Sequence, residues 1–455
     1  MRKFFLLLLV IFLLSTACVS TPPAEKEEAQ EDLTPYESIS LHLTMGDAEN
    51  AMAEYEESVA KNQNSKETKN LHSRLWLLLG ETEKAKEELS EIITENPDYL
   101  DALFSLSLVY ALENDREKQK KVLEDIVAKD DTYAPAQAYL GEMYLEDKKY
   151  DQAEKRFNMV LAEDETNFVA LMGKGNVKLR TKEYDEAEKQ FDKVIKVDPE
   201  YTFAYVDRAS AKSRNKNRSG AIEDLSKAIE LQPDYYWTYI DRGKLYLSML
   251  ETEKAMDDFL RAINIDTDYF LPYVYVGGIH YQNKEWDEAL YNYQRVYDLK
   301  PDYYFAYQPL AVCDYIKGNY EAAKELFEMA FEHHDDYAYL LLAGLCLQKQ
   351  GKDFEAREYY TTISQEFPKG AWYYHMIRYY ANPSNDYYVL KAYEDEKNRV
   401  IQKRILFYIG AQYMFQGQLK NAALTYFNEV LDAEKKDLME IDLAQSEIDR
   451  YGENF

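Results

Sequence analysis

The chain has 455 residues, enough for two or three ordinary domains, so length alone does not fix the number of domains. It carries 54 Lys and Arg against 83 Asp and Glu, a formal net charge of -29, and 46% of its residues are hydrophobic. This apolar content excludes a disordered chain, and the acidic surface would repel the phosphate backbone of nucleic acid. The composition therefore predicts a folded protein without a nucleic-acid partner.

The first 17 residues are predicted to be a signal peptide. Two basic residues precede an apolar run, Phe4 to Leu14, which is shorter than the about 20 residues that a membrane-spanning helix needs. The run ends just before Cys18 in a sequence that resembles the lipobox of bacterial lipoproteins, whose cysteine receives the lipid. Ser15 stands where family lipoboxes usually carry leucine, and Ser15-x-Ala17 also suits ordinary signal peptidase. A lipidated Cys18 is the prediction, and a plain secreted protein is the alternative.

Residues 18–33 are predicted to be the lipidated cysteine followed by a flexible acidic tether. The segment contains two prolines and a cluster of acids, namely Glu25, Glu27, Glu28, Glu31 and Asp32. Such a tether would hold the folded body off a membrane. The predicted location is the cell envelope, lipid-anchored to a membrane on its periplasmic or outer side, and the alternative is a soluble secreted or periplasmic protein.

The body of the chain repeats every 34 residues. Alanine occupies eight of nine equivalent places, with Gln119 in the ninth: Ala51, Ala85, Ala153, Ala187, Ala221, Ala255, Ala289 and Ala323. A bulky residue follows four places later, for example Phe157, Phe191 and Phe259. A small residue precedes by twelve places, for example Gly141, Gly175 and Gly243. Small residues let two helices approach closely and the bulky side chain fills the space beside them, so the period predicts packed helix pairs.

This order of small residue, alanine and bulky residue in a 34-residue period resembles the tetratricopeptide repeat. The resemblance implies an all-α fold, a right-handed α-solenoid of about a dozen helix-turn-helix pairs over residues 34–431. Residues 371–403 keep the repeat length but lose the motif, and we assign them to a degenerate unit. Residues 432–455 are polar with sparse apolar positions, which predicts a C-terminal capping helix that covers the final repeat.

The sequence shows no chemistry typical of an enzyme. Only Cys313 and Cys346 follow Cys18, and they fall on successive first helices too far apart for a disulfide, which predicts two buried free thiols. The six histidines lack the spacing of metal ligands, and nucleotide-binding and hydrolase motifs are missing from the sequence. We therefore expect no catalytic activity, no cofactor and no metal.

Two repeated arginines have a structural interpretation. Arg208 and Arg242 hold equivalent places, and Asp224 and Asp258 follow each by sixteen residues on the facing helix. An anion site is one explanation of such arginines. The repeated spacing favours the other explanation, internal ion pairs.

The resemblance also implies a binding surface. In this repeat family the second, fifth, ninth and twelfth places of each first helix line a concave groove that binds proteins or peptides. Carried onto this chain, those places include Phe203, Val206, Trp237, Ile240, Lys244, Leu271, Val274, Tyr281, Phe305, Val312 and Tyr315. The set is mostly apolar and aromatic, which predicts a hydrophobic peptide or helix as ligand. The same stripe could instead pack against neighbouring helices.

Two functions remain open at this point. One is an envelope scaffold, tethered to a membrane, that binds other envelope proteins and organises their assembly. The other is a surface-exposed adhesin that binds host or matrix proteins. Both need the same anchor and the same groove.

Overall fold

The computed structural model describes most of the repeat-containing body. The described residues are Pro35, Ser38, Ile39 and His42 and the ranges 47–59, 65–365, 371–384, 386–417, 419–432 and 438–452. The predicted signal peptide, Cys18 and the tether lie outside them. The described residues form helices and turns without a strand, in 24 successive α-helices, and the predicted all-α solenoid class is confirmed.

The chain divides into two compact units, Met1–Leu231 and Gln232–Phe455. In the first unit, helix α1 continues into a short π-helical stretch, Tyr55–Val59, and the ten helices after it pack as five consecutive pairs. The helices of this unit are α1 Ala48–Glu54, α2 Lys66–Leu78, α3 Thr82–Glu95, α4 Leu100–Leu112, α5 Arg116–Lys129, α6 Ala134–Glu146, α7 Tyr150–Glu163, α8 Phe168–Arg180, α9 Tyr184–Val197, α10 Thr202–Arg214 and α11 Arg218–Leu231.

The second unit holds six further pairs and one terminal helix. Its helices are α12 Tyr236–Ser248, α13 Thr252–Ile265, α14 Leu271–Gln282, α15 Trp286–Leu299, α16 Tyr307–Lys317, α17 Tyr320–His333, α18 Ala338–Lys349, α19 Asp353–Ile363, α20 Trp372–Ala381, α21 Tyr387–Asp395, α22 Arg399–Gln416, α23 Lys420–Leu431 and α24 Met439–Gly452. A short 3-10 turn, Tyr304–Ala306, precedes α16.

Helix pairs close through the small and bulky residues of the 34-residue period. The rings of Phe157, Phe191 and Phe259 are fully buried. A Cβ atom added to Gly243 would lie 2.7 Å from the Phe259 ring, and one added to Gly175 would lie 2.5 Å from Phe191. Real Cβ atoms do not come that close, so glycine is what lets the second helix seat its ring against the first.

The turn inside each pair also follows the period. In every regular pair one residue there adopts a positive φ, at Gly80, Asn114, Lys148, Lys182 and Lys216 in the first unit and at Leu250, Lys284, Gly318, Gly351 and Gly417 in the second. Glycine fills this left-handed place at the ends of the series, whereas side-chain-bearing residues fill the middle.

The predicted ion pairs are present in this packing. Arg208 reaches Asp224 through two bonds, Nε to Oδ2 at 2.9 Å and Nη2 to Oδ1 at 2.6 Å. Arg242 repeats the arrangement on Asp258, at 2.9 and 2.7 Å. Both aspartates are buried, so each pair joins the two helices of its repeat.

The two predicted thiols are also confirmed as buried and free. Burial raises the pKa of the Cys313 thiol to about 12, so that thiol stays protonated. Burial raises the pKa of Cys346 as well.

The region assigned to the degenerate unit forms a short helix pair. Helices α20 and α21 have 10 and 9 residues, whereas the second helices of regular pairs, such as α13, have 14. Helix α22, with 18 residues, already begins at Arg399, inside the range assigned to that unit. Met376, Ile377 and Tyr380 are fully buried in the apolar cluster shared with neighbouring repeats, so the unit packs into the second unit despite losing the repeat motif.

Candidate binding surface of the second unit

An uninterrupted series of ring contacts runs across three consecutive repeats of the second unit. Its members, which we call the aromatic ladder, are Trp237, Tyr269, Phe270, Tyr303 and Phe305. Neighbouring ring centroids along the series lie 4.8, 5.5, 4.9 and 5.5 Å apart and mostly meet at inclined angles. Contacts in this range stabilise aromatic pairs and hold each ring in place.

Trp237, Phe270 and Phe305 lie at or just before the N-termini of the first helices of their repeats. Trp237 is in the first turn of α12, Phe270 directly precedes α14, and Phe305 lies in the 3-10 turn before α16. Trp237 is partly buried, whereas 58% of Phe305 is exposed. The ladder therefore includes a large apolar side chain, Phe305, that faces solvent but is held by neighbouring rings.

Six other residues predicted for the groove are partly buried or exposed. Leu271, Val274 and Tyr281 are partly buried. Lys244 is exposed, with its ammonium 2.9 Å from Asp241 Oδ1. In the first unit, Phe203 and Val206 are also partly buried, and the Phe203 ring lies 5.7 Å from that of Tyr201.

Three residues of the predicted set do not line an open surface. Ile240, Val312 and Tyr315 are fully buried in the folded chain. Val312 and Tyr315 lie on α16, which packs against the C-terminal helix α24. The sequence placed α24 over the final repeat. It does pack against α23, but it also reaches back to α14 and α16.

Helix α24 is held by charged and hydroxyl side chains of earlier helices. We call their surface the α24 groove and define it by Tyr281, Tyr315, Lys349, Arg404 and Tyr408. The Tyr281 hydroxyl donates to Asp442 Oδ2 at 3.0 Å, the Tyr315 hydroxyl donates to Glu447 Oε1 at 2.8 Å, and Lys349 Nζ bonds the other oxygen of Glu447 at 2.5 Å. Arg404 Nε bonds Glu440 Oε1 at 2.7 Å, and the Tyr408 hydroxyl is 3.3 Å from the same oxygen.

Burial fixes the protonation of the hydroxyls in this groove. Burial raises the pKa values of Tyr281, Tyr315 and Tyr408 well above the ordinary value of a phenol, and nearby carboxylates raise them further. The three phenols therefore stay neutral and donate their protons. The α24 groove thus presents hydrogen-bond donors and positive charge to carboxylates, inside a chain that is strongly acidic as a whole.

Sequence reasoning missed this polar surface. Glu440, Asp442 and Glu447 look like ordinary acids of a solvated helix, yet all three are buried. The groove residues that meet them lie up to 161 residues away along the chain. No local pattern connects the two sides.

No group of three or more His, Cys, Asp or Glu side chains in the described part of the chain is placed to hold a metal ion. None of the helices within the described ranges combines the length and hydrophobicity needed to cross a bilayer.

Comparison with protein families identifies the repeat. Residues 144–212, 204–235 and 337–370 each match a tetratricopeptide repeat family. The chain contains tetratricopeptide repeats. These repeats lie in both units, and proteins built from them mediate protein–protein interaction. A comparison with curated protein sequences gives no match.

Several solved structures resemble parts of the chain. MamA shares 24% sequence identity over 35% of this chain and 94% of its own, with a TM-score of 0.34. Pseudomonas aeruginosa pilF shares 17% over 44% of this chain and 92% of its own, with a TM-score of 0.41. YrrB, described as a TPR protein with an unusual peptide-binding site, shares 20% over 40% of this chain and 95% of its own, with a TM-score of 0.33.

Proposed function

We propose that this protein is an envelope scaffold, tethered to a membrane through Cys18, that binds other proteins or peptides through the aromatic ladder. The observation that carries the binding part is Phe305, 58% exposed and held within ring contacts that cross three repeats. The tether part rests on the sequence before residue 34. Together they describe a binding surface held near a membrane.

The ladder has the properties of an interface anchor. Aromatic side chains dominate the binding energy of protein interfaces because they bury a large area with few rotatable bonds. Trp237 and Phe305 are held by neighbouring rings before any partner arrives, so little conformational entropy remains to be lost on binding. The ligand that fits this surface is a hydrophobic peptide or helix.

The experiment replaces position 305 with a photo-crosslinking amino acid in the full-length protein inside cells. Position 354 provides a matched control, because Phe354 is 69% exposed in the same unit but lies on the second helix α19, outside the ladder. We expect a specific crosslinked partner from position 305 and none from position 354.

Binding constants then test the ladder quantitatively. We expect Trp237→Ala and Phe305→Ala each to weaken binding of the crosslinked partner by about thirtyfold, or about 2 kcal/mol. Phe354→Ala should bind as the wild type does. Unchanged affinity in both ladder variants would exclude the ladder as the binding surface.

The membrane tether has a separate test. Cys18→Ser should abolish fatty-acid labelling and release the protein from the membrane fraction, while circular dichroism of the folded body stays unchanged. A wild-type protein that carries no lipid label would contradict the tether and favour plain secretion.

An adhesin that binds host or matrix proteins is the alternative, because it needs the same anchor and the same ladder. The two functions differ in which side of the envelope the protein faces. Protease added to intact cells should leave an inward-facing scaffold intact and should digest a surface-displayed adhesin.

A further inference from the structure

Helix α24 contacts the other helices of the second unit much as a bound ligand contacts its receptor. Its 14 residues meet side chains from α14, α16, α18 and α22 as well as the adjacent α23. Most of the polar contacts join a side chain of α24 to a side chain of the groove. A helix from another protein with the same side chains could make the same contacts.

The contacts define a chemical pattern on α24. Met439, Leu443 and Ala444 are buried among the apolar residues of the second unit and form the apolar part of the face. Glu440, Asp442 and Glu447 flank that part, and each carboxylate is buried. The pattern is that of an amphipathic helix whose inward face is apolar in the middle and acidic beside it.

The groove supplies the complementary charges. Arg404 pairs with Glu440, Lys349 pairs with Glu447, and Lys284 pairs with Asp442. Buried ion pairs of this kind add little net stability compared with apolar packing, but they discriminate strongly against a ligand of the wrong charge. A helix that served only to cover an apolar end would have no need of three buried carboxylates.

One contact of α24 is incomplete. The second carboxylate oxygen of Glu440, Oε2, is buried and has no hydrogen-bond partner among the described residues. A buried acceptor left unpaired weakens an interface. A partner helix whose carboxylate at the place of Glu440 had hydrogen bonds to both oxygens would compete with α24 for the groove.

We propose that the α24 groove is a receptor site for an acidic amphipathic helix of a partner protein, and that α24 occupies it as an internal competitor. This inference rests on the protein-binding function proposed above and names the partner's chemistry. A partner helix carries carboxylates at the places of Glu440 and Glu447 and an apolar residue at the place of Leu443. It binds by displacing α24.

The test uses a fluorescent synthetic peptide of residues 438–452 and full-length protein. In the protein, Glu447→Lys places a positive charge against Lys349 and Arg450 and should release α24 from the groove. Asp449→Lys makes the same change of charge at an exposed position of the same helix and is the matched control.

We expect the peptide to bind the Glu447→Lys protein at least tenfold more tightly than the wild type or the Asp449→Lys protein, by fluorescence anisotropy. A peptide carrying Glu447→Lys should not bind the released groove, and a peptide carrying Asp449→Lys should bind as the unmodified one does. Equal affinity for all three proteins, or no binding to any, would overturn the proposal.

Two further measurements keep folding separate from binding. Circular dichroism of the Glu447→Lys protein should lose no more helix than the 14 residues of α24. A larger loss would make α24 part of the folded body and would reject an exchangeable ligand. The charge-swapped combination, Lys349→Glu protein with Glu447→Lys peptide, should bind, whereas the same protein should not bind the unmodified peptide.

The peptide experiment can be told apart from the test of the proposed function. It uses no external partner and none of the ladder residues. If the peptide fails while a partner is still captured at position 305, only the acidic-helix site is rejected. If the peptide binds while nothing is captured there, the ladder is rejected and the α24 groove remains.

Discussion

Truncating Phe259 should separate packing from binding in the second unit. Its ring is fully buried, stacks on Tyr275 with centroids 4.6 Å apart, and closes against Gly243. Burying a phenylalanine is worth about 1.5–3 kcal/mol. The cavity left by Phe259→Ala adds to this loss, because the glycine opposite has no side chain to fill it. The expected total is about 3–5 kcal/mol.

Phe305→Ala is the matched comparison. With 58% of its surface already exposed, Phe305 loses only part of the transfer free energy and leaves no cavity, so the expected cost is about 1 kcal/mol. The two variants should therefore differ in stability by at least about 2 kcal/mol, or about thirtyfold in an opening equilibrium. For the affinity towards a binding partner we expect the opposite order. Phe305→Ala should weaken binding more than Phe259→Ala does.

Native-state hydrogen exchange is the suitable assay. Each repeat contacts mainly its neighbours, so unfolding should spread along the chain and a single global free energy would mix several events. Amides of α12 and α13 should lose protection in Phe259→Ala and keep it in Phe305→Ala. Equal loss of protection in the two variants would refute the distinction between a packing ring and a ladder ring.

Two other outcomes follow from charged groups. Arg242→Met should destabilise its repeat by about 3–5 kcal/mol in chemical denaturation, because it leaves the buried carboxylate of Asp258 unpaired, whereas Lys244→Met removes an exposed pair and should cost less than about 1 kcal/mol. A similar cost for both would contradict the structural role of Arg242. Burial raises the pKa of Glu142 to about 7 from an ordinary value of 4.5, with repulsion from neighbouring acids adding to the effect. The folded state therefore binds this proton more tightly than the unfolded state, so the free energy of unfolding should fall as pH rises from about 4.5 to 7, and Glu142→Gln should flatten that slope. An unchanged slope would show that Glu142 is not the group responsible.

Much of the fold follows from the sequence because its contacts are local. The places of Gly243 and Phe259 lie sixteen residues apart, and so do those of Arg242 and Asp258, which is the distance from a first helix to the second helix of the same repeat. Packing between such close neighbours depends on a short piece of chain, and repetition makes the pattern visible. The bulky residue, its glycine partner and the ion pairs were all predicted in this way.

The binding surface could be predicted only in part. Trp237 is partly buried and Phe305 is exposed, so solvent reaches both side chains. Their equivalent places in the 34-residue period predicted this exposure. Tyr315 was also assigned to the groove from its place on a first helix, but it is fully buried. The period assigns a residue to a face of its helix, and it does not say what covers that face.

The sequence by itself determined the repeat, its period, the helix pairs and the residues that pack within each pair, because these depend on side chains close together along the chain. Only the tertiary structure decided which part of the predicted groove is open and which part α24 fills. The bond from Tyr315 to Glu447 spans 132 residues, and that from Tyr281 to Asp442 spans 161. Two such segments carry no shared periodicity, and their carboxylates and hydroxyls become a buried network only when the folded chain brings them together.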